Sequence, residues 1–346
     1  MEIKGLKTTN RLLFILALPV LFYSLQLLSF IFVPLLFAFF LALLFSPIMR
    51  WFTKKKLPKA VSLALVLSII IAILFIGFKI IQLSGSQVGS GNAEIAQKFD
   101  DKLESLITPF SEMLGIEASE SEGALEELIN SSVINDLLLN NFSVTFTFLR
   151  LTIVNTLMTL FFLVLFLAGS MNLKQIMQTT LFYGHTRSIK TFIEVEQSIS
   201  KFLKVKIAIS FFTGLAFGLI AWFLGISYPL VWGLLAFVIN FIQMVGSVIS
   251  TVLVMAFAFI ELESPGTLLA AALLFSGAQV LFGAVLEPIF MGKSFSINII
   301  VVLVMLMFWG YLWGIAGLIL AIPITVLLKI VFMQYEGTKR IAHLMA

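Results

Sequence analysis

The side chains that could do chemistry in this sequence are few and gather late in the chain. Glu287 stands between two hydrocarbon-length apolar runs, followed at once by Pro288 and then by Met291, Gly292, Lys293 and Ser294. A carboxylate in that position has two readings. At a wet inner interface it caps a helix or pairs with a cation, Lys293 being the neighbour in sequence, or it alternately binds a proton and a cation, as acids inside membranes do in coupled carriers. Asn240 and Gln243 offer neutral ligands to an ion or a hydroxylated solute, or they satisfy backbone broken at a turn. Gln279 and Asn298 complete the polar series on this half of the chain.

Enzyme chemistry finds no footing. The chain has no cysteine and two histidines, which excludes disulfides and thiolate sites and leaves too few ligands for a histidine-built metal centre. Neither a His-Glu-x-x-His helix, a Gly-x-Ser-x-Gly elbow nor a phosphate-cradling glycine loop occurs. No cofactor, metal or nucleic-acid partner is therefore expected.

The elements that must position these residues are membrane helices. Of 346 residues 60% are hydrophobic and 12% charged, and the mean hydropathy is +1.10, so the chain reads as a polytopic all-α membrane protein. No cleaved signal is expected, because the first apolar run continues past Pro34 into a second. The runs Leu12 to Phe32 and Pro34 to Ile48 predict a first hairpin with its tip near Phe32 to Leu35. The net charge of +4 matters less than its placement. Lys4, Lys7 and Arg11, then Arg50, Lys54, Lys55, Lys56 and Lys59, put both ends of that hairpin on the cytoplasmic side. A third span, Ala60 to Leu83, runs outward, with Lys79 able to snorkel at its end.

Between Ser84 and Thr145 the composition changes, with eleven of the eighteen acids and two lysines. Apolar residues at helical spacing from Ile95 to Leu114 and from Leu125 to Leu138 predict two amphipathic helices in an external acidic region, either a solvated face over a packed seam or a cap on a pore. A fourth span, Thr147 to Gly169, returns the chain to the cytoplasmic side, where Lys174, Arg187, Lys190, Lys201, Lys204 and Lys206 outnumber Glu194 and Glu196. Ile189, Phe192, Ile193, Val195, Ile199, Phe202 and Leu203 then form an amphipathic helix that either lies on the membrane or acts as a rigid lever to the fifth span, Ile207 to Leu224. That span carries Gly214 and Gly218, a small-xxx-small spacing that lets helices approach closely and argues weakly for self-association.

Two further runs are the wrong length for simple crossings. Leu230 to Ile260 is about thirty apolar residues where a single span needs ~20. It begins after Pro229 and ends at Glu261 and Glu263, both outside, which predicts a re-entrant hairpin turning near Gln243 to Ser247 and including Gly246. After an inward span, Thr267 to Leu286, the run Ile297 to Val331 begins and ends inside and predicts a second hairpin turning near Gly310 to Gly314, with Pro323 in its return arm. Trp309, Tyr311 and Trp313 read as an interfacial aromatic belt, with a substrate cage as the alternative. Two hairpins entering from opposite faces follow the broken-helix logic of secondary transporters, whose solute sites lie near the hairpin tips, here Gln243 and Gly310.

Four ordered segments resemble the autoinducer-2 exporter family, the PerM-type permeases. They are Leu224-Gly225-Ile226-Ser227-Tyr228-Pro229-Leu230-Val231-Trp232-Gly233, then Asn240-Phe241-Ile242 with Gly246, then Leu286-Glu287-Pro288 with Met291-Gly292-Lys293-Ser294, and last Gly314-Ile315-Ala316-Gly317 through Pro323. The resemblance implies a multi-pass protein of the bacterial inner membrane, often a homo-oligomer, that moves a small solute such as autoinducer-2 or exchanges sodium for protons. It departs from the family pattern at Gln243, where a proline is usual, and lacks the proline that follows the glycine equivalent to Gly246. Ala284, Ile289 and the residues near Asn298 differ as well.

The expected organisation is about eight membrane segments. Residues 1–83 form segments 1 to 3, 84–146 the external region, 147–170 segment 4 and 171–206 the cytoplasmic helix. A core with both hairpins occupies 207–332, and 333–346 form a cytoplasmic tail. Glu287, Lys293, Asn240, Gln243, Gln279 and Asn298 are the candidate transport residues. Pro229, Gly246, Pro288, Gly292, Gly310, Gly314 and Pro323 are the candidate hinges, and Gly214 and Gly218 the candidate packing pair. A passive channel and a membrane scaffold are the alternatives to a transporter.

Overall fold

The computed structural model of this protein describes residues 13, 16–17, 19–84, 102, 141–176, 186–292, 297–334 and 337–345. Most of the expected external acidic region and Lys293 lie outside the described residues. All regular structure among the described residues is helical. The helices are α1 (19–27), α2 (Ser29–Lys54), α3 (Lys59–Ser84), α4 (Asn141–Ile176), α5 (Thr186–Phe223), α6 (Pro229–Ile239), α7 (Val245–Glu261), α8 (Pro265–Met291), α9 (Ile299–Gln334) and α10 (Lys339–Leu344). Six of them carry apolar stretches long enough to cross a bilayer, and α6 and α7 are shorter. The protein is an all-α polytopic membrane protein.

The first turn is not where the prolines suggested. Pro34 and Pro47 both lie inside α2, and the break falls earlier, at Leu28. A proline costs a helix one backbone hydrogen bond, but in a membrane the surrounding helices can absorb that defect. Pro34 is fully buried among such neighbours.

Helix α5 is the spine. Val195, Ile199 and Phe202 in its first half join a core with Phe40 and Leu43 of α2 and with both arms of α9. Phe217 and Ala221 in its second half join another core with α6, α7 and α8. A third core, built from Ala38, Phe45, Val66, Leu163 and Leu167, holds α2, α3 and α4 together. The large apolar residues left outside, such as Leu219, Trp222 and Phe223, make the exterior that lipid requires. Of the two arrangements open for residues 186–206, the continuous helix is the one adopted. It is about 57 Å long, so α5 carries one rigid axis from the polar end deep into the apolar layer.

Both long runs fold as hairpins. Trp232 near the start of α6 stacks on Phe257 near the end of α7, with ring centroids 5.0 Å apart, and Tyr228 meets the same ring at 5.9 Å. The two helices are therefore antiparallel. At about 16 and 25 Å both fall short of the ~30 Å hydrocarbon core. Gly246 allows the closure, because a Cβ there would collide with the Ile239 carbonyl. The open ends are tied by Glu261, whose carboxylate accepts from the Ser227 backbone N–H at 2.7 Å and from the Ser227 hydroxyl.

In α9 the reversal occurs at Trp313 (φ −131°, ψ 15°) and Gly314 (φ 60°, ψ −139°). The second pair of angles is one that glycine adopts cheaply and a Cβ-bearing residue does not. Gly310 then faces Leu318, and Gly317 faces the Trp309 carbonyl, contacts that residues eight apart on one straight helix, about 12 Å, could never make.

Trp309 and Trp313 are buried and packed at a tilt with ring centroids 4.8 Å apart, and the Trp313 indole N–H donates to the Leu25 carbonyl of α1 at 3.0 Å. Only Tyr311 of the expected belt is exposed. The belt reading fails because α1 covers this turn and takes the two tryptophans into the core.

Helices α5 and α6 cross with backbone close to backbone. A Cβ on Gly214 would stand 2.6 Å from the Gly233 carbonyl oxygen, one on Gly218 would stand 3.2 Å from the Pro229 carbonyl oxygen, and one on Gly233 would stand 2.8 Å from the Gly214 carbonyl oxygen. The glycine spacing is thus used within the chain and carries no argument for self-association. Gly214→Leu should lower the stability of the detergent-solubilised protein by about 1–3 kcal/mol or prevent folding, because backbone stands in the way. Gly277→Ala, which meets no atom within 4 Å, should leave the thermal midpoint nearly unchanged. Equal effects from the two variants would sink this account of the crossing.

Candidate functional site

On α5 the residues Ile199, Phe202, Lys206, Ile209, Ser210, Thr213 and Phe217 recur three or four apart and are all buried. They form one face, and Lys206 sits in the middle of it. A lysine in that stripe needs an anion in reach, since an ammonium taken out of water alone costs several kcal/mol. Glu287 supplies it. The Lys206 Nζ donates to both carboxylate oxygens, at 2.9 and 3.0 Å, and the two residues are the buried charges among the described residues, 2% and 4% exposed.

The path of α8 explains how the acid reaches that face. Phe275 of α8 packs on Phe217 of α5 at 5.0 Å, and twelve further residues of α-helix would turn Glu287 about 120° away from the partner helix. Residues Val280–Leu286 instead form a π-helical segment, in which the Glu287 N–H bonds to the Phe282 carbonyl five residues back. Each such widening acts as one inserted residue, about 100° of rotation, which returns Glu287 to the α5 side. Pro288 supports the wider turn, because it lacks the N–H that an α-helical bond to the Ala284 carbonyl would need. The hinge glycine Gly292 ends α8 at φ 71°.

Glu287 is therefore buried against Lys206 and does not stand open at a wet mouth. Both of its oxygens are taken by Lys206, and Lys293 lies outside the described residues. Sequence reasoning missed Lys206 by counting it with Lys201 and Lys204 as a loop cation. The stripe through Phe202, Lys206, Ile209 and Thr213 was the available signal. At the same end of the molecule Arg50 of α2 pairs with Glu196 of α5 at 2.7 Å, in more open surroundings.

One turn from the ion pair lies a cavity of about 230 Å³. Phe202 precedes Lys206 by four residues and Met291 follows Glu287 by four, so the same two helix faces that carry the pair also line the cavity. Its far wall is the turn of the first hairpin, Gln243 and Met244, and the rest comes from Ile297 and from Ile299, Val302, Ile322 and Val326 of α9. The Gln243 side-chain carbonyl oxygen is buried with no protein hydrogen-bond partner. Gln243 thus meets the arms of the second hairpin well below its turn. The two hairpins pass one another, rather than meeting tip to tip at Gln243 and Gly310.

The backbone at this turn is unusual. Met244 has φ 60° and ψ −53°, and the Val245 N–H bonds to the Gln243 carbonyl at 2.6 Å. That is a γ-turn of the rare, strained hand. Strain of this kind, of order 1–3 kcal/mol, persists where the surroundings over-determine it.

The other candidates separate. Asn240 is buried and donates its amide to the Ser210 hydroxyl at 3.0 Å, one turn along α5 from Lys206, so it belongs to the same polar line. Gln279 opens the π segment, and both atoms of its amide are buried without a protein partner. Asn298 is exposed and accepts from the Ile300 N–H at 2.9 Å, which makes it a cap for α9. Pro229 opens α6, Pro323 lies within the return arm of α9, and Gly225 at φ 71° permits the turn between α5 and α6.

The family described as "AI-2E family transporter" matches residues 12–337. The chain belongs to the AI-2E transporter family. Within it, the AI-2 transport protein TqsA of Escherichia coli K12 is 27% identical over 328 residues, 91% of this chain and 89% of TqsA. A protein of Borreliella burgdorferi is 31% identical over 59% of this chain and 58% of its own length, and one of Haemophilus influenzae is 24% identical over 99% and 97%. The names of these two assign transport without a solute. This AI-2E family member is accordingly a multi-pass membrane transporter.

Two stability measurements test the site. Glu287→Leu alone should cost about 3–5 kcal/mol in detergent-solubilised protein, because it strands the Lys206 ammonium, and Lys206→Met/Glu287→Leu together should cost less than that single change. Costs that simply add would mean the two charges do not depend on each other. Met244→Gly should raise stability by about 1 kcal/mol, since glycine occupies positive φ without a Cβ clash. A lower melting point would contradict the strained turn.

Proposed function

We propose that this protein carries a small polar solute across the bacterial cytoplasmic membrane, binding it at the turn of the first hairpin and using Lys206–Glu287 as the closure beside that site. The observation that carries this reading is Gln243, which lines a cavity one helical turn, about 6 Å, from a buried ion pair and whose side-chain oxygen is buried without a protein partner. A hydroxyl or ammonium group of a solute satisfies that oxygen, and apolar walls exclude the water that would compete for it.

The name of TqsA makes AI-2, or a solute of similar size and polarity, the first to try. In this reading the termini and the Lys206 end of α5 face the cytoplasm, where lysine and arginine concentrate. No covalent chemistry is asked of the chain.

The ion pair also favours energy coupling by exchange of a proton or sodium ion. A carboxylate that alternates between an ammonium and a proton or cation changes the charge that α5 and α8 share, and with it the cost of separating them. Self-association into a homo-oligomer belongs to the same reading and is tested by the mass of the solubilised protein.

Purified protein in proteoliposomes decides between these readings. Wild-type vesicles should accumulate AI-2 in response to an imposed pH or sodium gradient. Gln243→Leu should weaken uptake about tenfold, the value of one hydrogen bond to a polar solute. Lys206→Gln/Glu287→Gln should fold yet lose dependence on the gradient. Flux indifferent to any gradient would make the protein a passive channel, and no flux of AI-2, sodium or other small solutes would leave a scaffold.

A further inference from the structure

A second and larger cavity, about 970 Å³, runs between α2, α3, α4 and α5, apart from the site above. Its α2 wall extends from Val33 to Ile48, about 22 Å of helix rise, against ~15 Å for one leaflet of the hydrocarbon core. Phe37, Leu41 and Phe45 of α2, Ile73 of α3 and Phe211 of α5 make it apolar through most of that length. The Thr and Asn side chains of α4 line the end near Val33, and there Thr159 turns its hydroxyl back onto the Asn155 carbonyl at 2.7 Å. A long apolar slot between membrane helices suits a hydrocarbon chain better than a compact polar solute.

Among the described residues one charged side chain lines the slot. Lys204, exposed on α5, lies towards the end marked by Pro47 and Ile48, and no acid among the described residues lines the cavity. Arg50 and Lys54 follow on the next turns of α2, with Glu196 already engaged by Arg50. That end is complementary to an anion. At the inner limit of the slot, Phe237 of the first hairpin and Ala316 of the second both line it, so an occupant touches both hairpins at once.

We propose that this slot is a binding site for an anionic phospholipid, with an acyl chain between α2 and α5 and the phosphate at Lys204. The lipid would then be a structural ligand of the hairpins and distinct from the transported solute.

Mass spectrometry of lipids retained by the full-length protein in mild detergent, together with its melting point in added phosphatidylglycerol or phosphatidylcholine, tests this. Wild type should prefer phosphatidylglycerol about fivefold, the value of one lysine facing an anionic headgroup. Lys204→Gln should abolish the preference. Ala208→Trp and Leu44→Trp, which fill the slot from opposite walls, should each remove the retained lipid, while Leu219→Trp on the exposed face of α5 outside it should retain it. Unchanged lipid content in both filled variants would overturn the site, and retention without headgroup preference would overturn the role of Lys204. Filled variants that keep their lipid yet lose solute flux would show the slot to be a solute route, which also overturns the proposal.

Discussion

A lysine and a glutamate that share two hydrogen bonds inside an apolar protein set the terms for the C-terminal half of this transporter. Neither could be buried alone, so Lys206 and Glu287 oblige α5 and α8 to meet at one height and one rotation. The pair adds little net stability of its own, since each partner gives up its hydration to be there. Its effect is specificity: one register of α8 on α5 satisfies it, and others leave a stranded charge. The π segment is the geometric consequence, because ordinary α-helix between Phe275 and Glu287 would aim the acid elsewhere.

The same helix is pinned a second time by the crossing of Gly214 and Gly218 with α6, where backbone touches backbone. The first hairpin, α5 and α8 thus form one unit with little slack, and the second hairpin packs on α2 and the first half of α5. The unusual backbone sits where these two units face each other, at the Met244 γ-turn and the cavity beside it. A fold that is rigid on both sides of a strained turn concentrates its adaptable residues in a small volume, as binding sites generally do.

Much of this was legible in the residues. Runs of about thirty apolar residues are too long for one crossing, and Gly246 and Gly314 mark where each must turn. The acid at Glu287 and the amides of Asn240 and Gln243 stood out because polar groups in such runs are costly. What was not legible depended on partners distant in sequence. Lys206 looked like one more interfacial lysine because the positive-inside rule weighs charge and ignores helical phase. Trp309 and Trp313 looked like belt residues because the α1 backbone that receives Trp313 lies 288 positions away. Pro34 looked like a turn because the local rule for proline does not know which neighbours surround it.

The distance along the chain between Lys206 and Glu287, 81 residues, also bears on how the protein is made. At about 5–20 residues per second, Lys206 emerges from the ribosome roughly 4–16 s before its carboxylate. Through that interval the hydrocarbon layer offers the ammonium no counter-charge, so the stretch of α5 around Lys206 stays hydrated at the membrane surface or within the insertion machinery. It seats only when α8 arrives. The ion pair that fixes the C-terminal half therefore closes late, only after Glu287 has been made and α8 has reached α5.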